Sequence, residues 1–182
     1  MSNLIIVGFK NDKYRAAEAL NKLRQMKYYE DELDDAVAVS RGLNGELRID
    51  QSYQMTTDDG ATWGALWGSM LGLILAAPLT AGASAVAAAV MAGGALAGTA
   101  VGAATGAIGA DWWKEDNGLP EDFVREAGSM IQPGDSAVFA LVKNVFDDAV
   151  SHFEGFGGKV LMTTLTPEQD AKIQKVLNRH RM

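Results

Sequence analysis

Residues 60–110 decide the architecture of this chain; they read GATWGALWGSMLGLILAAPLTAGASAVAAAVMAGGALAGTAVGAATGAIGA. The stretch contains no Asp, Glu, Lys, Arg or His, although Asp59 precedes it and Asp111 follows it. About 20 residues of apolar helix cross the hydrocarbon core of a bilayer, and Trp prefers the headgroup level. We therefore predict a membrane-inserting hairpin. All four tryptophans lie at its two ends and are predicted membrane-interface residues: Trp63, Trp67, Trp112 and Trp113.

Two arms make up this hairpin, residues 60–77 before Pro78 and residues 81–110 after it. As helices they would be about 27 Å and about 45 Å long, so each is long enough to cross a bilayer. Glycines recur at every fourth position and leave a groove into which another helix backbone can pack closely. The pattern predicts a glycine zipper whose helix-packing residues are Gly64, Gly68, Gly72, Gly94, Gly98, Gly102 and Gly106.

The second arm is only weakly hydrophobic, because it consists mainly of Ala and Gly. A lone helix of this kind inserts poorly, and each Gly weakens a helix in water by about 1 kcal/mol. It therefore needs partners on several sides. It is either the inner helix of a membrane homo-oligomer, shielded from lipid by the Leu-rich first arm, or part of a soluble assembly that never meets lipid. The apolar length and the tryptophan placement favour the membrane.

The flanking sequence predicts an α+β domain in two halves, residues 1–59 and residues 111–182. Apolar runs and alternating patterns predict strands at residues 4–9, 36–39, 47–53, 137–142 and 159–164. Caps and apolar spacing predict helices beginning after Asn11 or Asp12, near Pro120, over residues 147–156 and at Thr166. We interpret the acidic cluster of residues 30–35 as a solvated helix end.

A short internal repeat indicates how the two halves combine. Lys10-Asn11 follows the first strand and Lys143-Asn144 follows a later one, and each pair precedes a predicted helix. Two such units favour a ferredoxin-like βαβ-type sandwich interrupted by the hairpin. Because both halves must pair in one sheet, both ends of the hairpin must emerge on the same side of a membrane. All 16 Lys and Arg lie on that side, which predicts that the domain and both termini are cytoplasmic.

Several classes of function find no support in the composition. The net charge of −7 and the scattered basic residues argue against nucleic acid as a partner. The absence of Cys excludes disulfides and thiol chemistry. His152 and His180 lie on separate predicted helices without metal-ligand spacing, and no phosphate loop or Gly-x-Ser-x-Gly occurs. We predict no catalytic residue, no metal, no cofactor and no enzyme activity.

Three segments resemble a known family: GLPEDF at 118–123, PGDSAVFALV at 133–142 and GGKVLMTTL at 157–165. The chain resembles the bacterial predicted membrane proteins of domain-of-unknown-function family 1269, and the glycine-rich hairpin and the Val7-Gly8-Phe9 opening also fit. The resemblance implies a membrane-associated bacterial protein without established activity, which here means the inner (cytoplasmic) membrane. It brings no catalytic residues.

Three functional hypotheses follow. The leading one is a membrane-anchored homo-oligomer with a structural or interaction role, which the two glycine ladders favour. The runner-up is a pore or channel-like protein in which the Ala/Gly-rich second arm lines the pore, although no charged residue marks an ion path. The third makes the soluble domain a sensor of small ligands, for which the sequence alone supplies no set of polar anchors.

Overall fold

The computed structural model describes residues 2–25, 33–44, 47–51, 119–143 and 153–169, together with positions 67, 70, 71, 74 and 171. The chain forms two compact units, each built from two segments. The first unit comprises Met1–Gln54 and Met130–Thr166, and the second comprises Met55–Ser129 and Pro167–Met182. Most of residues 60–110 lie outside the described residues, so the predicted three-part division of the chain stays a prediction.

The first unit contains a five-stranded antiparallel sheet, which confirms the predicted α+β class. The strand order is β3-β2-β4-β1-β5, so β4 is central, β2 and β1 flank it, and β3 and β5 are the edges. Each predicted strand corresponds to an observed one. The strands are β1 (Asn3–Phe9), β2 (Leu33–Arg41), β3 (Leu47–Gln51), β4 (Ser136–Val142) and β5 (Lys159–Thr164).

Helix α1 (Arg15–Gln25) shares one hydrophobic core with one face of this sheet. The apolar spacing predicted a buried face with Ala16, Ala17, Leu20, Leu23 and Met26. Ala16, Leu20 and Leu23 are buried, together with Ala19, whereas Ala17 is half-buried and Met26 lies outside the described residues. The core also includes alternate residues of β1, β2 and β4, because successive strand residues point to opposite faces of a sheet. Phe153 and Phe156 complete it, with their rings edge to face at 6.3 Å.

The start of α1 is capped by Asp12 and by β4. The Asp12 carboxylate accepts hydrogen bonds from the backbone N–H groups of Tyr14 and Arg15, at 3.1 and 3.0 Å. The buried Ser136 hydroxyl accepts one from the Ala16 N–H at 3.2 Å and donates to the Asp12 carbonyl. Of the two residues predicted to cap α1, Asp12 is therefore the one that caps it. Asn11 precedes the cap and adopts a left-handed conformation with φ of 54°.

The interpretation of the acidic cluster is wrong for its last two residues. Asp34 and Asp35 lie in β2 rather than at a helix end, and the Asp34 side chain is only 1% exposed. Its carboxylate lies 3.4 Å from the Lys143 ammonium and accepts a hydrogen bond from the Ser2 hydroxyl at 3.3 Å. This cation and this donor offset the cost of burying the charge. Residues 30–32 lie outside the described residues.

The second unit contains helix α2 (Glu121–Ser129), which begins one residue after Pro120, as predicted. The Val124 N–H donates to the Pro120 carbonyl at 3.0 Å, and Phe123, Val124 and Ala127 are buried. The apolar spacing also predicted Ile131 on the buried face of this helix, but Ile131, although buried, lies beyond the helix end at Ser129. Residues 167–169 are helical, where the last helix was predicted to start. Of the helix predicted over 147–156, residues 147–152 lie outside the described residues, and Phe153 and Glu154 are helical.

Candidate functional site

A cleft of about 390 Å³ opens in the first unit at the carboxyl end of β1. Three cationic side chains line it, and they come from three elements: Lys10 follows β1, Arg15 begins α1 and Lys159 begins β5. The pairing of β1 with β5 brings them together, because Gly8 lies opposite Lys159 in the register of these strands. Among the described residues of the lining, Asp12 is the acidic one.

Two glycines before β5 form one wall of the cleft. Gly157 adopts a left-handed conformation with φ of 79°, which side chains other than Asn and Asp rarely tolerate. Gly158 lies directly against β1. A Cβ atom at this position would be 2.7 Å from Val7 Cγ1 and 2.8 Å from the Gly8 carbonyl oxygen. The close approach of the backbone therefore depends on the absence of a side chain at Gly158.

Lys10 is held at the cleft by a buried carboxylate. Its ammonium donates to Asp135 Oδ2 at 2.7 Å, and the Asp135 side chain is 3% exposed. Burial would raise the pKa of Asp135, but hydrogen bonds from Lys10 and from the backbone N–H groups of Asn11 and Gln132, with the charge of Lys10, lower it below its usual value. Asp135 is therefore a carboxylate at neutral pH.

Arg15 is oriented by contacts on two sides. Its guanidinium donates to Glu18 Oε2 at 2.9 Å and to the backbone carbonyl of Phe156 at 3.2 Å. A guanidinium has five N–H donors in one plane, and these two contacts use two of them. Arg15 therefore joins α1 to the loop before β5 and retains donors with which to bind a further group.

The sequence does not single out these cleft residues as a site. It presents Lys10 only as part of the Lys-Asn repeat, and Gly157-Gly158 only as the start of a segment that resembles a known family. The predicted fold nevertheless contains a hint of the site. A ferredoxin-like strand order places the last strand antiparallel beside the first, so the start of the last strand lies near the end of the first. Which side chains meet there depends on the strand register, which the sequence pattern does not supply.

The predicted hairpin residues are described at only a few positions. Trp67, predicted at a membrane interface, is helical and 1% exposed, and Met70, Leu71 and Ile74 are helical and buried with it. Their spacing follows one face of a helix. The other predicted interface and helix-packing residues lie outside the described residues: Trp63, Trp112, Trp113, Gly64, Gly68, Gly72, Gly94, Gly98, Gly102 and Gly106. All eleven assignments stay predictions.

Within the described ranges there is neither a membrane-spanning helix nor a metal-binding cluster. None of the helices described there is both long and apolar enough to cross a bilayer. Nor does any group of three or more His, Asp or Glu within those ranges have an arrangement that could hold a metal ion. His152 and His180 lie outside the described part of the chain.

Comparison with known proteins identifies one family. The family model described as "Protein of unknown function (DUF1269)" matches residues 61–178, which is more than half of the chain. This match confirms the family that the sequence resembles, although the matched range does not include the β1 opening. No curated protein and no solved structure matches the chain.

Proposed function

The chain belongs to the DUF1269 family of proteins of unknown function, and we propose that it is a membrane-anchored homo-oligomer with a structural or interaction role. In this proposal residues 60–110 form a glycine-zipper hairpin in the bacterial inner membrane. The sheet unit and both termini lie in the cytoplasm. The observation that carries the proposal is the length of the charge-free stretch, which exceeds what two crossings of a bilayer require.

The sheet supports a ferredoxin-like sandwich as the fold on either side of the hairpin. Without the edge strand β3, the order is β2-β4-β1-β5 with every neighbour antiparallel. Strands from the two halves of the chain alternate in this order, as they do when two βαβ units interleave. In this reading β3 is an additional edge strand, joined to β2 as a hairpin.

The described part of the first arm supports a role for its glycines in association. Trp67, Met70, Leu71 and Ile74 are buried and follow one helix face. In a regular helix with 3.6 residues per turn, the ladder of Gly64, Gly68 and Gly72 would be centred about 110° away from that face. The ladder is therefore expected on a separate packing surface, which suits a second helix of the hairpin or of another copy.

Membrane attachment is tested by washing membranes with alkaline carbonate. The full chain should stay with the membrane, whereas a chain lacking residues 60–110 should be released. Both proteins should first be shown by circular dichroism to retain sheet structure. Release of the full chain would refute the anchor and favour a soluble assembly built on the glycine ladders.

Oligomerisation is tested by measuring the particle mass of the full chain in mild detergent. Gly102→Leu should reduce the mass to that of a monomer, because Leu fills the groove on the glycine face. Ala103→Leu is the matched control, since it adds a Leu side chain at the neighbouring position, about 100° around the helix. A monomeric wild-type chain, or equal effects of the two substitutions, would contradict the proposed role of the ladder.

A further inference from the structure

The cleft at the end of β1 gathers positive charge on an acidic chain. The protein has a net charge of −7, yet three of its 16 Lys and Arg side chains line this one cleft, and among the described residues Asp12 is the one lining carboxylate. We propose that the cleft binds a phosphate monoester through Lys10, Arg15 and Lys159. This site is independent of the membrane role proposed above, since the described lining residues all belong to the sheet unit.

The dimensions and the donors suit such a ligand. A volume of about 390 Å³ lies within the range of small-molecule sites, which runs from roughly 300 to 1,000 Å³. The planar fork of Arg15 matches two phosphate oxygens, while the two ammonium groups supply further charge. Phe9 and Phe156 also line the cleft, and although both belong to the core, the small exposed part of each offers an apolar edge to the organic part of the ester.

The helix terminus itself is not the binding element. The first N–H groups of α1 already donate to Asp12 and to Ser136. The ligand is therefore bound by side chains. Asp12 uses one carboxylate oxygen to accept from the Tyr14 and Arg15 N–H groups, so its charge is partly balanced by the positive end of the helix dipole.

The acidic residues that face the three cations differ in how easily a ligand can replace them. Asp135 is buried behind Lys10 and accepts three hydrogen bonds, so it stays in place and fixes the ammonium. Glu18 is different, since its side chain is 60% exposed and its partner Arg15 is 36% exposed. Exposed ion pairs of this kind contribute little to stability, so a phosphate dianion can displace Glu18 from the guanidinium.

Calorimetric titration of the full chain in neutral detergent with phenyl phosphate tests the site. Lys159→Gln should weaken binding about tenfold, which corresponds to one charge-assisted contact. Glu18→Gln should strengthen binding, because it removes the competing carboxylate. Lys22→Gln is the matched control: it removes one positive charge from an exposed position of α1 outside the cleft and should leave binding unchanged.

Two further titrations define the chemistry and the source of the ligand. Benzoate has the same ring with a single carboxylate and should bind at least tenfold more weakly, since it offers less charge and fewer acceptors. Short-chain phosphatidate in the detergent micelles presents the monoester as a lipid headgroup. Tighter binding of phosphatidate identifies a lipid, and tighter binding of phenyl phosphate identifies a soluble metabolite.

The proposal is overturned by two results. One is the absence of heat and of any thermal stabilisation with millimolar phenyl phosphate and with phosphatidate. The other is binding that Lys159→Gln, Glu18→Gln and Lys22→Gln leave equally unaffected while circular dichroism shows all three variants folded, because the ligand would then lie elsewhere.

Discussion

At the scale of single residues, Asp135 concentrates several roles in one carboxylate. The side chain accepts hydrogen bonds from Lys10, Asn11 and Gln132. The backbone carbonyl of the same residue accepts one from the Arg41 N–H at 2.9 Å. An Asn at this position would direct its NH₂ group toward another donor. We expect Asp135→Asn to lower the free energy of unfolding by about 2–3 kcal/mol at neutral pH, measured by urea unfolding of the full chain.

This loss should depend on pH in a defined direction. The folded-state pKa of Asp135 lies below its ordinary value of 3.8, so the carboxylate stabilises the protein above that pH. Its contribution disappears as pH falls below 3.8 through the folded-state pKa. The difference in free energy of unfolding between wild type and Asp135→Asn should therefore be constant near neutral pH and become smaller in acid. Asp50→Asn is the control, because Asp50 is exposed on β3. If the destabilisation by Asp135→Asn were the same in acid as at neutral pH, this account would be contradicted.

The two glycines before β5 should respond differently to substitution. Gly158→Ala should cost about 1–3 kcal/mol, because its Cβ would meet the Gly8 carbonyl at 2.8 Å, and backbone cannot rotate away as a side chain can. A Cβ at Gly157 would meet no atom within 4 Å beyond its chain neighbours, so only the left-handed backbone limits replacement. Gly157→Asn should therefore be nearly neutral. Thermal unfolding of both variants separates the steric cause at Gly158 from the backbone cause at Gly157. Equal losses of stability in the two variants would contradict this distinction.

At the scale of elements, the cap of α1 gives a local prediction. Asp12→Ala removes the acceptor for two backbone N–H groups and should lower the free energy of unfolding by about 1 kcal/mol. Asp12→Ser should restore most of the loss, since its hydroxyl can accept the same bonds. Urea unfolding of both variants checks this, and an equal loss in Asp12→Ser would mean that the charge matters rather than the cap.

The elements are predictable where the signal is local. The run KVLMTT is bounded by Gly157-Gly158 and by Thr166-Pro167, and the predicted strand matches Lys159–Thr164. The prediction for Asp34 and Asp35 is wrong because an acidic run usually indicates a solvated surface. The group that makes burial of Asp34 tolerable is Lys143, which lies in the other half of the chain. Only the antiparallel pairing of β2 with β4 brings the two together.

At the scale of the whole molecule, the cleft also depends on strand pairing that the sequence pattern does not show. The charge balance of the sequence indicates an acidic protein, and averaging over the chain hides a local excess of cations. Lys10 and Arg15 are close in sequence, whereas Lys159 joins them through the pairing of β1 with β5. The α+β class followed from periodicity alone. The site required the register, which depends on how all the strands pack together.

The sheet also constrains how the chain can cross a membrane. Strand β4 follows residues 60–110 and pairs with β1 and β2, which precede them. If the stretch crosses a membrane as we propose, both of its ends must therefore lie on one side, and the residues near Pro78 on the other. The chain has no Cys, so single introduced cysteines report position without background. In intact inner-membrane vesicles of cytoplasm-in orientation, an impermeant maleimide should label Thr80→Cys at once and Asn44→Cys only after detergent is added. Labelling of Asn44→Cys before detergent, with Thr80→Cys protected, would place the sheet outside the cytoplasm. Immediate labelling of both would refute the crossing.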